Sequence, residues 1–253
     1  MRVRMLGVAI VFMLFIPVAC YGTQPLITDD TGTQGTGKYQ IEVSYEHLHA
    51  EGSGATLRFD RFDNILTGGV TPTVDIILDV PALHLKLSDP EGSKSAAGLG
   101  DVTLETKWRF FESDGLSFAV KPGIAFPTGD DGEDLGAGEL RPRIIFIATK
   151  DLAPFTFHAN AGYTRNENHL NENDDIWHVS LAAEYRATSR IKLVANAGAD
   201  GSHDRQTGTP ERFVLGGVIF SATEHIDLDV GAKGTFADIA DAWSLLAGVT
   251  YRF

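Results

Sequence analysis

The sequence predicts an all-β fold, a single antiparallel, up-and-down transmembrane β-barrel of about twelve strands. Three observations predict it: apolar and polar residues alternate with a period of two, short and long connections alternate, and aromatic residues gather at both ends of the alternating stretches. Successive side chains of a strand point to opposite faces. A barrel in lipid needs an apolar outer face with rings at both headgroup levels.

The chain opens with "MRVRMLGVAIVFMLFIPVACYG". Two arginines, an apolar core from about Leu6 to Val18 and small residues near Gly22 have the layout of a signal peptide, so residues 1–22 are expected to be removed on export from a bacterial cytoplasm. Removal takes Arg2 and Arg4 and no acid, leaving 19 basic against 34 acidic residues, a net charge of −15. It also takes Cys20, the one cysteine, and with it any disulfide. A competing reading makes Cys20 a lipidated first residue after the small Val18 and Ala19, but Pro17 stands where a leucine is expected and favours simple removal. The acidic balance argues against nucleic acid, and a hydrophobic share of 43% argues against disorder. Past the leader no apolar run approaches the length of a membrane helix.

Residues 23–37 are polar and glycine-rich, and "TDDTGTQGTG" has nothing else to pack against, so a periplasmic N-terminal segment or lumen plug is expected there. "GTQGTG" lacks the lysine and following helix of a phosphate loop.

The barrel is expected over residues 38–253. Its clearest strand is "GDVTLETKWRFF", where Val102, Leu104, Thr106, Trp108 and Phe110 share one face. "KYQIEVSYEH" precedes it, with less regular strands at 56–70 and 74–87; then come "LSFAVKPGIAF", residues 139–149, "PFTFHANAGY", "DIWHVSLAAEYR", "RIKLVANAGAD", residues 211–222, "HIDLDVGAKGTF" and "AWSLLAGVTYRF". Phe118, Phe155, Ile191 and Ile226 recur 37, 36 and 35 residues apart, so the repeating unit is a hairpin. Two strands break parity. Leu83, Leu85 and Leu87 oppose Ile76 and Leu78, and a bulge at Pro81 is expected to return them to the lipid face; a similar shift is expected between Phe59 and Leu66.

Short turns, "TPT", "ESDG", "KDLA", "ATSR" and "ATEH", alternate with longer polar stretches such as "SDPEGSKSAAGLG" and "NENHLNENDD". This places the short side, and both termini, in the periplasm of an outer-membrane barrel. Tyr39, Trp108, Phe110, Phe118, Phe155, Tyr185, Phe220, Tyr251 and Phe253 form the expected periplasmic belt. Tyr45, Phe59, Phe126, Tyr163, Trp177, Phe213, Phe236 and Trp243 form the outer one. A soluble sandwich would gather its rings at strand middles instead.

Function in such a barrel depends on what points inward. Parity makes Glu105, Lys107, Arg109, Lys121, Arg141 and Arg143 a basic lumen-lining cluster, with Asp75, Asp79, Glu184, Asp227 and Asp229 as acids on other inward faces. Opposed charges can select polar or amphipathic solutes, or can simply brace a closed barrel. His158 and His178 are also expected to line the lumen. Ser180 shares a face with His178, but the strand rise sets them about 7 Å apart and no G-x-S-x-G context surrounds them, so a polar lining is favoured over a hydrolase. "GDDGED" lacks the spacing of a calcium loop and reads as a solvated outer loop, with divalent bridging to lipopolysaccharide as the lesser reading. No cofactor or metal site is expected.

"QPLITDDTGTQGTGKYQIEVSYEH", "GLGDVTLETKWRFF", "KPGIAFPTGD" and "LLAGVTYRF" together resemble the outer-membrane transporters grouped with the meta-pathway of phenol degradation, over nearly the whole mature chain. The resemblance implies a barrel that passes or binds small, often aromatic or hydrophobic compounds. It also implies a C-terminal signal for the barrel-assembly machinery, carried here by Phe253 with Tyr251. The expectation is therefore an outer-membrane channel or transporter for passive uptake of small molecules, partnered by outer-membrane lipid and lipopolysaccharide, with a lipid hydrolase or a non-transporting structural barrel as alternatives.

Overall fold

The computed structural model describes residues 24–52, 54–205, 208–237 and 241–253. The expected leader, with Cys20, lies outside them. The strands are β1 (Tyr39–Gly52), β2 (Ala55–Thr71), β3 (Val74–Asp79), β4 (Ala82–Asp89), β5 (Gly92–Leu99), β6 (Thr103–Ser113), β7 (Leu116–Ala125), β8 (Arg141–Leu152), β9 (Phe155–Arg165), β10 (Asp175–Arg186), β11 (Ile191–Asp200), β12 (Glu211–Ser221), β13 (Ile226–Phe236) and β14 (Ala242–Arg252).

These 14 segments make one antiparallel sheet closed by the pairing of β1 with both β2 and β14. Twelve staves go round the barrel, because β3 and β4 are two halves of one stave and β5 and β6 two halves of the next. The long β2 pairs with β3 through Ile65–Thr71 and with β4 through Thr56–Phe62. The interruption falls at Val80 and Pro81. Proline has no N–H for the ladder, and the freed groups are met locally: Val80 N donates to Asn64 O at 3.0 Å and Gly100 N to Pro81 O at 2.9 Å. Closure removes the exposed edge that a terminal strand would otherwise present. Tyr39 N donates to Phe253 O at 2.9 Å and Phe253 N to Tyr39 O at 3.0 Å.

Short turns join the strands two by two. In the β6–β7 turn Asp114 and Gly115 both have positive φ, 51° and 70°, which suits a tight hairpin. On the outer wall Val43, Leu66, Leu104, Leu181, Leu193, Val230 and Leu245 are exposed as a continuous apolar band. Soluble proteins do not leave such a surface to water; lipid requires it.

Four expectations are corrected. The leucines after Pro81 do not return to the lipid face, because β3 and β4 keep one parity across the break. Leu83 is buried inside the barrel mouth, with Leu85 and Leu87 packed beside it. The second stave has no shift either: Phe59 points in and Leu66 points out along a regular β2. Phe59 and Phe213, assigned to the outer belt by their height, are buried inward at 2% and 5% exposure. Phe59 belongs to a collar with Leu48, Leu57, Leu83 and Leu135 that lines the outer mouth. Phe59→Ala is expected to destabilise the barrel by about 3–5 kcal/mol, read as a lower unfolding midpoint in micelles. A loss no larger than that of the lipid-facing Phe62→Ala would show that the collar is not packed.

The stretch 88–100, expected as a loop, contains β5, paired with β4 from Ala82↔Leu99 to Asp89↔Gly92. It stands above the apolar band, where no lipid imposes alternation on its serines, glycines and lysine.

Candidate functional site: the lumen and its N-terminal segment

Residues 24–37 run inside the barrel before β1. Leu26, Thr28, Asp29 and Thr31 are all buried. Their backbone, which has no ladder of its own, is met by side chains that the strands aim inward. Asn196 Oδ1 on β11 accepts from Ile27 N at 2.8 Å and Thr28 N at 3.0 Å. Asn160 on β9 pairs with Asp29 in both directions, Oδ1 accepting from Asp29 N at 2.6 Å and Nδ2 donating to Asp29 O at 2.9 Å. Thr149 Oγ1 accepts from Thr31 N at 3.1 Å, and Asp75 accepts from Gln34 N at 3.0 Å. A β-carbon at Gly69 would overlap the carbonyl of Gly35, so the segment passes against β2 only because that position is glycine.

The Asp29 carboxylate lies between two lysines. Lys107 Nζ on β6 donates to Oδ1 at 2.7 Å, and Lys121 Nζ on β7 is 2.6 Å from Oδ2. Behind them Glu105 stands 3.6 Å from Lys121 Nζ and takes Arg143 of β8 at 2.7 Å. Gly123 leaves space for this arrangement, since a β-carbon there would sit 2.6 Å from Glu105 Cγ. Of the residues that parity marks as lumen-lining, Asp75, Glu105, Lys107, Lys121 and Arg143 thus gather around the segment.

The others, His178 excepted, stand apart from it. Asp79 is 3.7 Å from Arg61, which holds Asp63 at 2.7 Å. Arg141 donates to Asp101 at 3.0 Å. Arg109 sits near the short turns, 3.2 Å from Glu112. His158 bonds Thr149 at 2.9 Å and stands 3.7 Å from Glu184, which takes Lys192 at 2.8 Å. Asp227 pairs with Arg252 at 2.7 Å, and Asp229 is buried on β13.

His178 and Ser180 meet although their backbones do not. Ser180 Oγ is 2.8 Å from His178 Nε2, and His178 Nδ1 is 2.7 Å from Asp200 Oδ1. Asn196 Nδ2 donates to Thr28 Oγ1 at 2.6 Å and Thr28 Oγ1 to Ser180 Oγ at 2.7 Å. A consistent assignment is a one-way chain, Asn196 to Thr28 to Ser180 to His178 to Asp200, with His178 neutral and Nδ1–H on the aspartate. β10 has a neighbour on each side, so its amides serve the ladders and supply no oxyanion donors. The serine is capped by Thr28, and the chain fastens the N-terminal segment.

The lumen is divided by this segment. On the side of the short turns lies a vestibule of about 600 Å³, lined among others by Asp29, Gln40, Glu42, Lys107, Lys121 and Arg252. On the other side a cavity of about 70 Å³ lies between Pro25, Ile27, Phe213, Leu246 and the Glu46–Lys233 pair. Above it the acidic loop turns inward through buried Leu135 and Ala137. His169 bridges Asp131 and Glu139 at 2.8 and 3.0 Å, and those hydrogen bonds raise its pKa. Among the described residues no group of His, Cys, Asp and Glu is placed to hold a metal ion.

Sequence reasoning passed over Asn160 and Asn196, the residues that hold most of the segment's backbone. Parity could have found them, since Asn160 shares the inward face of His158.

Residues 24–253 match the family described as "Putative MetA-pathway of phenol degradation". No curated protein sequence matches the chain. Among solved structures, the COG4313 outer membrane channel from Pseudomonas putida F1 is 14% identical, with a TM-score of 0.69 over 88% of this chain and 98% of that one. The NanC porin is 11% identical, with a TM-score of 0.57 over 83% and 98%. The CymD monoaromatic hydrocarbon channel is 9% identical, with a TM-score of 0.51 over 87% and 89%. At such identities the likeness is one of fold.

Proposed function

The chain belongs to the family described as "Putative MetA-pathway of phenol degradation", and from that premise we propose that it is an outer-membrane channel for passive uptake of small molecules, aromatic and hydrophobic compounds among them, closed at rest by residues 24–37. The observation that carries the reading is the N-terminal segment itself. It is fastened across the lumen by side chains rather than by a strand ladder, so it can leave without breaking the barrel. The apolar collar of Leu48, Leu57, Phe59, Leu83 and Leu135 at the outer mouth suits solutes with apolar bodies. A structural relative that is a monoaromatic hydrocarbon channel is consistent with it.

We read the protein as non-enzymatic: the Ser180–His178–Asp200 chain is spent on the plug, and His84, which joins Asp60 and Ser95 at 3.2 and 3.1 Å, lies exposed on the outward face of β4. The partners follow from the surface. Arg58 and Lys86 are exposed and directly opposed on β2 and β4, four residues above Phe62 and Ala82. Opposed like charges disfavour a strand pair, and a lipopolysaccharide phosphate between them would relieve that. Phe253 and Tyr251 would be read by the barrel-assembly machinery.

Liposome swelling tests the function. Phenolic solutes are expected to enter faster than sugars or amino acids of similar size. Exclusion of all three by folded protein would sink the channel reading.

A further inference from the structure

We propose that the Lys107–Lys121 cradle is a carboxylate-binding site of the channel, that Asp29 is its built-in ligand in the closed state, and that small organic acids with an apolar body, such as aromatic monocarboxylates, are a preferred solute class. The inference rests on the channel reading and names the chemistry the lumen selects.

Both carboxylate oxygens of Asp29 are held by ammonium groups, at 2.7 and 2.6 Å. Lys107 is 8% and Lys121 1% exposed. Lys107 makes its contacts to the plug alone, Asp29 Oδ1 and Asp30 O at 3.0 Å. When the plug leaves, Lys107 loses both and Lys121 loses its shorter ion pair. Lys121 keeps Glu105 at 3.6 Å, and Glu105 still holds Arg143. An ammonium group that has lost its hydrogen-bonded carboxylate is less favourable until an anion takes that place. Glu42 and Asp75 line the same vestibule but form no ion pair with Lys107 among the described residues. The cradle opens on the vestibule of about 600 Å³, large enough for a single-ring acid. An acid that reaches the plug would compete with Asp29 for the two lysines.

The test uses the full mature chain. Asp29→Ala removes the tethered carboxylate, and free acetate is expected to restore what was lost: a higher unfolding midpoint and lower bilayer conductance, dose-dependent, and absent with acetamide. Adding Lys107→Gln should abolish the response. In proteoliposomes the wild-type chain should pass benzoate several-fold faster than benzamide, and Lys107→Gln with Lys121→Gln should equalise the two. Acetate without effect on Asp29→Ala overturns the site. Equal entry of benzoate and benzamide into wild-type liposomes overturns the solute class while leaving a channel in place. Exclusion of both solutes instead defeats the channel reading, and the acetate titration then decides the site by itself.

Discussion

A chain lacking residues 24–36 is expected to conduct ions several-fold better in planar bilayers than the full mature chain, with the barrel itself intact. Conductance falls with whatever fills the lumen, and the segment lies inside it with Leu26, Thr28 and Asp29 buried. Twelve staves enclose more than an eight-stranded barrel, whose interior side chains fill, and less than a sixteen-stranded porin, so removing one extended segment changes the free cross-section greatly. The same result should follow from one substitution. Asn196→Leu keeps the side chain's bulk but leaves Ile27 N and Thr28 N without the acceptor that now serves both. A buried amide without a partner costs about 1–3 kcal/mol. Two of them shift the docked-to-released ratio of the plug more than tenfold, since about 1.4 kcal/mol is a factor of ten. Asn196 points into the lumen while its backbone serves the ladder, so heat-modifiable migration on a denaturing gel should be kept. A folded deletion variant with unchanged conductance would show that the segment does not close the pore.

How far the sequence displays this architecture depends on which solvent each strand meets. Within the hydrocarbon layer lipid imposes apolar residues on every outward position, and there the strands, their parity and the short turns were legible. Above that layer the rule lapses. β5 has no apolar alternation because neither face meets lipid, and Leu83, Leu85 and Leu87 follow the inward parity of β3 into the collar. Phe59 and Phe213 were misplaced because height was read without parity. The plug's inner contacts were legible only by half. Parity marked Glu105, Lys107, Lys121 and Arg143 as inward, but their partner Asp29 lies 78 residues from Lys107 on a segment with no period at all. Asn160 and Asn196 carry no charge, and charge had served as the sign of a lumen position. Ser180 and His178 were set apart by strand rise, yet two side chains on one face lean together to 2.8 Å.

The end of the chain allows packing and recognition to be separated. Phe253 stacks on Tyr39 and Tyr251, with ring centroids 5.8 and 5.5 Å away, and its backbone exchanges two hydrogen bonds with Tyr39. Those bonds survive any side-chain replacement. A charge near a membrane interface costs a barrel only about 0–1 kcal/mol, so Phe253→Asp should refold in detergent nearly as the wild type does. In cells the expectation is different: if the terminal ring is what the assembly machinery grips, the same variant should lose most of its heat-modifiable band in the outer membrane. Tyr39→Asp is the matched control, since it breaks the same ring stack and puts a carboxylate at the same height without touching the terminus. If Phe253→Asp accumulates as well as Tyr39→Asp, the last residue is a belt aromatic and nothing more. If it fails alone while refolding in detergent as the wild type does, the loss lies in delivery rather than in stability, because Tyr39→Asp also gives up the Tyr39–Phe253 stack.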